Sequence, residues 1–314
     1  MDFKNICQYL RGLRRRGVHA LLARLWVVWL SLINRYARAP VCGPDGPVVS
    51  MTTHGDRVLT VHLTVESIGR GELRPSRLIL WLDDAVRFKS LPLALRRLQK
   101  RGLEVKLSKN YGPHTKYYPY IECEESITQP LVTADDDILY PRLWLSKLAD
   151  ANRRFPDSIN CYRARVVTVR EGEVVPYGEW EMCTCTEASF RYLATGVSGV
   201  IYSPEFLKDI KASGDVFKDC CPKADDLWLH VQALRSGRKI KQIGKRAIHF
   251  PRIPGTQKAC LFGGNVVSHD GNDRQLKSTY TQEDFAVLLR DYKPGISETT
   301  GSHIFTNFEI AGGD

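Results

Sequence analysis

The chain has 314 residues, with 45 Lys and Arg against 35 Asp and Glu, so its formal net charge is +10. Its content of 43% hydrophobic and 25% charged residues excludes a wholly disordered, collagen-like or coiled-coil protein. A chain of this length buries about three quarters of its unfolded surface, so it needs no disulfide or zinc site to fold. The basic excess would suit nucleic acid, an anionic membrane or an anionic small substrate.

Most of the basic excess lies at the N-terminus. Residues 1–40 hold eight Lys and Arg residues against one acid, Asp2, which gives +7 and leaves +3 for the rest of the chain. A nucleic-acid enzyme more often carries its basic groove on the folded body. We therefore expect no nucleic-acid partner, and we assign the basic charge to whatever this N-terminal region contacts.

The same region contains an apolar segment. Residues 18–34 carry one charge, Arg24, and the longest uncharged run, Leu25–Asn34, gives only about 15 Å of helix against a hydrocarbon core of about 30 Å. Helical spacing gathers the polar residues into one stripe and leaves a broad apolar face with two tryptophans. This pattern predicts that residues 1–40 form a basic amphipathic helix on an anionic membrane surface. A helix docked on the core and a cleaved signal peptide are the alternatives, and Pro40 counts against cleavage.

After a linker rich in Pro and Gly, short apolar runs alternate with helical patterns. This alternation predicts an α/β fold with a doubly wound, mostly parallel, Rossmann-like sheet. No GxGxxG follows the first strand and no GxxxxGK occurs, so neither a dinucleotide-binding site nor a P-loop is indicated. The predicted strands are Val48–Thr52, Arg77–Leu82, Glu104–Leu107 and Leu131–Thr133. Four helices are predicted: one that includes Val58 and the apolar residues after it, one over Leu91–Lys100, one over part of Thr115–Glu125, and one that begins at Pro141.

The second half is less regular. Asn160–Val169 and Gly199–Tyr202 read as strands, Asp225–Ser236 as a helix, and Gln282–Asp291 as one more helix in a polar tail. The predicted organisation is an N-terminal helix in residues 1–40, a catalytic domain in residues 41–270 and a C-terminal helix with its tail in residues 271–314. The nine cysteines are odd in number and lack zinc-knuckle spacing, so reduced thiols in a cytosolic body are the interpretation.

The most informative stretch is TADDDILYP, residues 133–141. Asp135, Asp136 and Asp137 follow a buried strand, where three carboxylates repel one another and lose hydration. A divalent cation compensates such a cluster, and carboxylate oxygens suit Mg²⁺ or Mn²⁺ bridging to phosphate. Helix capping ahead of Pro141 is the alternative, but a cap needs one acid.

Two further segments carry candidate chemistry. Asp225 and Asp226 open a helix, whose dipole keeps a carboxylate ionised, so either is a plausible general base, although acidic caps on a surface helix are equally possible from this segment alone. Between the acidic clusters lies TGVSGVIYSP, in which Gly196 and Gly199 permit close approach to a ligand or simply shape a turn.

Together these motifs resemble those of the GT-A glycosyltransferases, in particular bacterial family 2-like enzymes that build capsule or O-antigen polysaccharides. The resemblance covers roughly residues 47–250 and rests on the order of VVSMTTHGDR, RLILWLDD, HTKYYPYI, TADDDILYP, TGVSGVIYSP and ADDLWL. The chain departs from the pattern by having three consecutive aspartates and by having ADD where a Glu-Asp pair is commoner.

The resemblance implies a role for each motif. Asp226, with Asp225 beside it, looks like the base that deprotonates the acceptor hydroxyl during a single, inverting displacement. For either His249 or His269 alone, a core or surface role is the alternative. The implied metal ligands are Asp137, Asp135 and His249, with His269 in reserve; the implied nucleotide-sugar contacts are Thr53, Asp83, Lys116, Asp135, Asp136, Gly196 and Gly199, with His114 near phosphate or acceptor.

We therefore predict a Mn²⁺- or Mg²⁺-dependent glycosyltransferase, peripheral on the cytoplasmic face of a membrane. Its donor would be a nucleotide sugar and its acceptor a lipid-linked sugar or a polysaccharide. A sugar nucleotidyltransferase is one alternative, but such enzymes usually carry a glycine-rich basic loop after the first strand, and TTHGDR at residues 52–57 has one glycine. A non-catalytic, membrane-anchored scaffold is the other.

Overall fold

The computed structural model describes residues 21–170, 173–256 and 271–291. Its centre is an eight-stranded sheet in the order β3-β2-β1-β4-β11-β5-β12-β9. The first four strands in that order are mutually parallel, β5 and β12 are parallel to each other, and β11 and β9 run antiparallel to their neighbours. The strands are β1 Val48–Thr52, β2 Leu78–Leu82, β3 Leu103–Leu107, β4 Leu131–Ala134, β5 Ser158–Cys161, β9 Ala188–Ser189, β11 Val200–Tyr202 and β12 Lys239–Gln242.

Helices cover both faces of this sheet. The central strands β1, β2 and β4 are almost fully buried, as near-continuous apolar runs are when both faces of a sheet are covered. The α/β, doubly wound, mostly parallel prediction is confirmed. The helices are α1 residues 21–36, α2 Val61–Gly69, α3 Ala85–Lys89, α4 Leu93–Gln99, α5 Tyr118–Cys123, α6 Trp144–Arg154, α7 Pro204–Ala212, α8 Phe217–Cys220, α9 Asp225–Arg235, and two C-terminal helices, Gly271–Thr279 and Gln282–Leu289.

Side-chain alternation along the strands divides the core between the two faces. Ile79 and Trp81 point to the face covered by α5, α7 and α9, whereas Leu78, Leu80 and Leu82 point to the face covered by α2, α4 and α6. Both clusters therefore fix the position of every strand end. Those strand ends carry the predicted site residues.

Three predicted elements differ from the structure: a helix, a strand and the C-terminal tail. The helix expected at Pro141 begins at Trp144, because the acidic residues form a turn in which Ile138 bridges to Arg252. The strand expected over Asn160–Val169 breaks into β5 and two short pieces that leave the main sheet. The short strands are β6 Ala164–Val166, β7 Val169–Arg170, β8 Glu173–Val174 and β10 Tyr192–Ala194, of which β6 pairs with β10 and β7 with β8.

The C-terminal tail contains two helices where one was predicted. Leu276, Tyr280 and Leu288 from these helices are buried in the same cluster as α9. His230 of α9 shares a 2.6 Å hydrogen bond with the Tyr280 hydroxyl. Residues 271–289 thus pack as part of the body and support the helix that carries Asp225 and Asp226.

Helix α1 docks on the body by one face. Leu30 is fully buried against Leu63, Leu139 and Ile253. Asn34 donates a 3.1 Å hydrogen bond to Glu66, which forms a buried ion pair with an arginine that follows α4. The docked-helix alternative therefore describes the inner face of α1.

The outer face of α1 is apolar and exposed. Leu21, Leu25, Val28 and Leu32 recur at helical spacing and are 57%, 57%, 58% and 51% exposed; we call them the outer stripe. Within the described residues, no helix combines the length and the apolar character needed to cross a membrane. Helix α1 therefore has one face packed against the body and a second, apolar face that is exposed to solvent.

Candidate functional site

The acidic motif lies at the carboxyl edge of the parallel strands. Strands β1, β2 and β4 run side by side in the same direction, so Thr53, Asp83 and Asp135 emerge at one edge of the sheet. Ligands of open α/β sheets bind at this edge. The helix start that carries Asp226 approaches the same edge, because a Cβ at Gly196 would lie 3.3 Å from Asp226 and 3.5 Å from Lys116, which binds Asp135. The amide of Gly196 donates a 2.8 Å hydrogen bond to the Asp226 carboxylate.

Asp136 anchors the turn. Its side chain accepts hydrogen bonds from the Thr53 hydroxyl at 2.6 Å and from the Arg57 guanidinium at 2.7 Å, so both carboxylate oxygens are occupied. The Thr64 hydroxyl donates to its backbone carbonyl at 3.0 Å. Thr53 is fully buried and Asp136 is 4% exposed. Both residues are therefore buried and support the turn through the hydrogen bond between them, and their predicted contact with a nucleotide stays a prediction.

Asp137 is the buried acid of the turn whose carboxylate is crowded by its acidic neighbours. It is 7% exposed, and Arg57 Nη2 lies 3.4 Å from one of its carboxylate oxygens. Burial, followed by the neighbouring charge of Asp135, raises its pKa above the ordinary range, although Arg57 opposes the shift. A further cation at this carboxylate would relieve that repulsion.

Lys116 connects the two acidic clusters. Its ammonium donates a 2.5 Å hydrogen bond to Asp135. Burial opposes its charge, but the carboxylates of Asp135 and Asp225 outweigh burial and hold the pKa of Lys116 above its usual value. A Cβ at Gly196 would lie 3.3 Å from Asp226 and 3.5 Å from Lys116, so the two clusters meet at this residue.

Asp226 has the environment of a base. It accepts the Gly196 amide, while burial and then the adjacent Asp225 charge raise its pKa to about 7; Lys116 and the Gly196 amide act in the opposite direction. A carboxylate with a pKa near neutrality takes up a proton readily at physiological pH. Asp225 and Asp226 both lie in the first turn of α9, as predicted.

His249 lies on the segment that borders the acidic turn. Residues 248–253 run beside it, with Ile253 donating its amide to the Asp137 carbonyl at 2.7 Å. Partial desolvation, then the charges of Arg163 and Arg252, lower the pKa of His249 to about 4. The imidazole is therefore neutral at physiological pH, which is the form that ligates metals. His269 lies outside the described residues.

The donors present fit a divalent cation shared with a substrate. Within the described ranges, no three His, Cys, Asp or Glu side chains form a ready-made metal cluster. Mg²⁺-type sites that act on phosphates use one or two carboxylates together with phosphate oxygens. Asp137, crowded by other carboxylates, and the half-buried Asp135 meet that requirement, and His249 lies on the bordering segment.

Three predicted residues do not join this cluster. Gly199 has φ near 105° and faces Trp144, whose indole a side chain would meet at 2.8 Å, so packing accounts for this glycine. His114 is fully buried, with its ring nitrogens 2.7 Å from the Tyr117 hydroxyl and from the Cys221 carbonyl. Asp83 directly follows β2 at the same edge, and its side chain forms no hydrogen bond or ion pair with the part of the chain that the structure describes.

Sequence reasoning missed two arginines that belong to the site. Arg57 lies in the THGDR segment and contacts Asp136 and Asp137 from across the turn. Arg163 follows β5 and is 9% exposed. The signal for Arg57 was its position just after the first strand, whereas no local pattern marks Arg163.

Comparisons with known proteins give the following matches. No protein-family model and no curated protein sequence matches the chain. Among solved structures, a mannosyltransferase of Pyrobaculum calidifontis, solved with GDP-Man and Mn²⁺, is similar with 16% identity and a TM-score of 0.44, over 90% of this chain and 75% of that one. TarS residues 1–349 of S. aureus match with 16% identity and a TM-score of 0.42, over 62% of this chain and 57% of that one.

A third similar structure is the CMP:2-keto-3-deoxy-manno-octonic acid synthetase in complex with CTP. It has 10% identity and a TM-score of 0.38, over 62% of this chain and 87% of that one. Similarities at this level do not identify an activity. Function is therefore inferred from the side chains of the site.

Proposed function

We propose that the protein is a metal-dependent glycosyltransferase that moves a sugar from a nucleotide-sugar donor to a hydroxyl of a lipid-linked or polysaccharide acceptor, with inversion. The observation that carries the proposal is that Lys116 holds Asp135 at 2.5 Å while its charge acts on Asp225 and Asp226. Two acidic clusters about ninety residues apart in sequence thus share one cleft. One has the charge pattern of a diphosphate site and the other that of a base.

The donor side must neutralise a leaving diphosphate. Asp137 and Asp135, with His249 nearby, are the residues that would hold Mn²⁺ or Mg²⁺, and such an ion when bound supplies charge neutralisation at the diphosphate. Lys116 and Arg57 pair with acids of the turn, and the charge of Arg252 also acts on Asp137. Lys116 pairs with Asp135 and Arg57 with Asp136, which fixes the positions of these carboxylates at the edge of the sheet.

The acceptor side must remove a proton from a hydroxyl. Asp226, whose pKa is about 7, accepts that proton, and the Gly196 amide fixes one of its oxygens. General base catalysis of this kind contributes about 10²–10⁴-fold. We infer the single, inverting displacement from the resemblance to the GT-A enzymes; in it the acceptor hydroxyl would attack the sugar from the face opposite the leaving diphosphate.

The outer stripe of α1 gives a reason for a membrane location. It is flanked by exposed Arg24 and Arg35, and Arg70 of the body lies 5.3 Å over the ring of exposed Trp29. Apolar residues flanked by arginine and tryptophan suit the interface of an anionic bilayer. We propose that this face rests on the cytoplasmic surface of a membrane, where a lipid-linked acceptor is found, while the body remains in the cytosol.

The activity is tested by screening nucleotide sugars with the purified protein and Mn²⁺ or Mg²⁺. Release of nucleoside diphosphate from one donor, dependent on the added metal, is the expected result. Formation of pyrophosphate from a nucleoside triphosphate and a sugar phosphate would instead assign a nucleotidyltransferase. No turnover with any donor would favour a non-catalytic scaffold.

A further inference from the structure

A buried arginine beside the candidate base lacks an acidic partner. Arg163 is 9% exposed, and its Nη1 donates a 2.9 Å hydrogen bond to the Thr195 hydroxyl. Its Nε is buried without a hydrogen-bond partner. Among the residues the structure describes, none forms an ion pair with this guanidinium.

Other buried arginines of the chain behave differently. Arg101 pairs with Glu66 at 2.5 Å, and Arg57 pairs with Asp136 at 2.7 Å. Buried charges in proteins are normally paired, because a desolvated cation without an anion is costly. Arg163 is thus as desolvated as Arg101, but no described carboxylate forms an ion pair with it.

The groups that face Arg163 make its surroundings electropositive. Burial and then the charges of Arg165 and Arg252 disfavour its cation, whereas Tyr177 and Asp226 favour it. Arg165 is itself held by the Trp180 carbonyl at 2.7 Å. An anion arriving here would therefore be attracted by several cations while Arg163 supplied directed donors.

The position of Arg163 relates it to the acceptor side. Thr195, which anchors the guanidinium, directly precedes Gly196, whose amide holds the candidate base Asp226. We propose that Arg163 binds an oxyanion of the acceptor, a phosphate or carboxylate group, close to the hydroxyl that Asp226 deprotonates. This inference rests on the proposed function for its assignment to the acceptor. The substrate class that it implies is an anionic glycan or a phosphate-linked acceptor.

The planar guanidinium explains why arginine suits this position. Its fork of donors matches the oxygens of phosphate and carboxylate, and one arm is already fixed on Thr195. Lysine at 163 would keep the charge but lose the paired geometry. The conservative variant should therefore recover only part of the binding.

The binding test uses inorganic phosphate as the probe. Isothermal titration of phosphate into the wild-type protein, Arg163→Gln and Arg163→Lys should show at least a tenfold weaker Kd for the glutamine variant and an intermediate Kd for lysine. Arg238→Gln is the matched control, because the Nε of Arg238 is also buried without a hydrogen-bond partner. Arg238 directly precedes β12, at the opposite edge of the sheet, and its Nε lies 4.0 Å from a carboxylate oxygen of Asp209. Equal phosphate affinity in the wild type and Arg163→Gln would overturn the proposal.

The source of the anion is distinguished by competition. If the site belongs to the acceptor, phosphate binding should persist when the nucleoside diphosphate that the protein binds is present at saturation with Mn²⁺. Loss of phosphate binding under those conditions would overturn the acceptor assignment and place the anion in the donor diphosphate. These titrations need no turnover, so their result is independent of whether glycosyl transfer is observed.

A folding control accompanies the titrations. Removing an unpaired buried charge does not weaken a fold, so Arg163→Gln should melt at or above the wild-type temperature. Phosphate should raise the melting temperature of the wild-type protein and leave that of Arg163→Gln unchanged. An equal increase in both proteins would contradict a phosphate site at Arg163.

Discussion

Lys116 and Asp135 form a 2.5 Å ion pair at the edge of the sheet, and the same ammonium lowers the pKa of Asp226. One cation thus stabilises a carboxylate of the donor side and tunes the candidate base of the acceptor side. Because the pair is mostly buried, it is screened little by solvent. In the proposed mechanism, the donor and acceptor sides are coupled through this side chain.

Lys116→Met should affect both functions. We expect a loss of at least about 10²-fold in kcat/KM, because the variant removes a positioned charge from the reacting centre. It should also raise the pKa of Asp226, since Lys116 lowers it in the wild type. Steady-state kinetics across pH measures both effects. Lys208→Met, on the exposed side of α7, is the control, and equal behaviour of the two variants would contradict the assignment.

The pH profile reports the base directly. With a pKa of about 7 for Asp226, log kcat/KM should rise by one unit per pH unit below about 7 and level off above it. Asp225→Asn removes the charge that raises this pKa, so the midpoint should move to lower pH. A midpoint near 4 in the wild type, or no movement in the variant, would exclude Asp226 as the titrating group.

The same pKa has a consequence for stability. A carboxylate whose pKa is raised by folding stabilises the protein in its protonated form, and this contribution is lost as pH rises from about 4 to about 7. Asp226→Asn removes the penalty of burying the charge. We expect its melting temperature to exceed that of the wild type by about 5 °C at pH 8 and by much less at pH 4.5, measured by calorimetry. A pH-independent difference would contradict the raised pKa.

Much of the architecture follows from local sequence pattern. The apolar runs of β1, β2 and β4 and the acids that end them were predictable, because strand period and strand end are properties of a few adjacent residues. The pairing of Asp135 with Lys116 also joins two predicted residues. By contrast, the break of Asn160–Val169 depends on partners that are distant in sequence.

Tertiary contacts determine what the sequence did not show. Asp136 and Thr53 were predicted as ligand contacts. The structure adds a hydrogen bond from the buried Thr53 hydroxyl to the Asp136 carboxylate, which the sequence does not reveal. Arg163 has no motif, and it is notable only because it is buried without forming an ion pair with any described residue. The docking of α1 depends on the hydrogen bond from Asn34 to Glu66, which amphipathic spacing does not reveal.

The outer stripe should control membrane binding. Leu25→Glu with Leu32→Glu places two acids on the exposed face and should reduce sedimentation with vesicles containing phosphatidylserine by at least about tenfold. Both residues are more than half exposed, so the body should fold unchanged. Val86→Glu with Val216→Glu adds the same charge at exposed apolar sites of the body and is the control. Equal sedimentation of the two double variants would remove the membrane assignment. Deletion of residues 1–40 is less suitable, because it also removes buried Leu30.

The most direct test separates donor binding from transfer in two variants. With Mn²⁺ present, Asp137→Asn should bind the nucleoside diphosphate at least about tenfold more weakly than the wild type, as measured by calorimetry. Asp226→Asn should bind it as tightly as the wild type and lose about 10²–10⁴-fold of the transfer rate. Wild-type transfer in Asp226→Asn, or unchanged nucleotide binding in Asp137→Asn, would contradict a cleft with a donor side and a base.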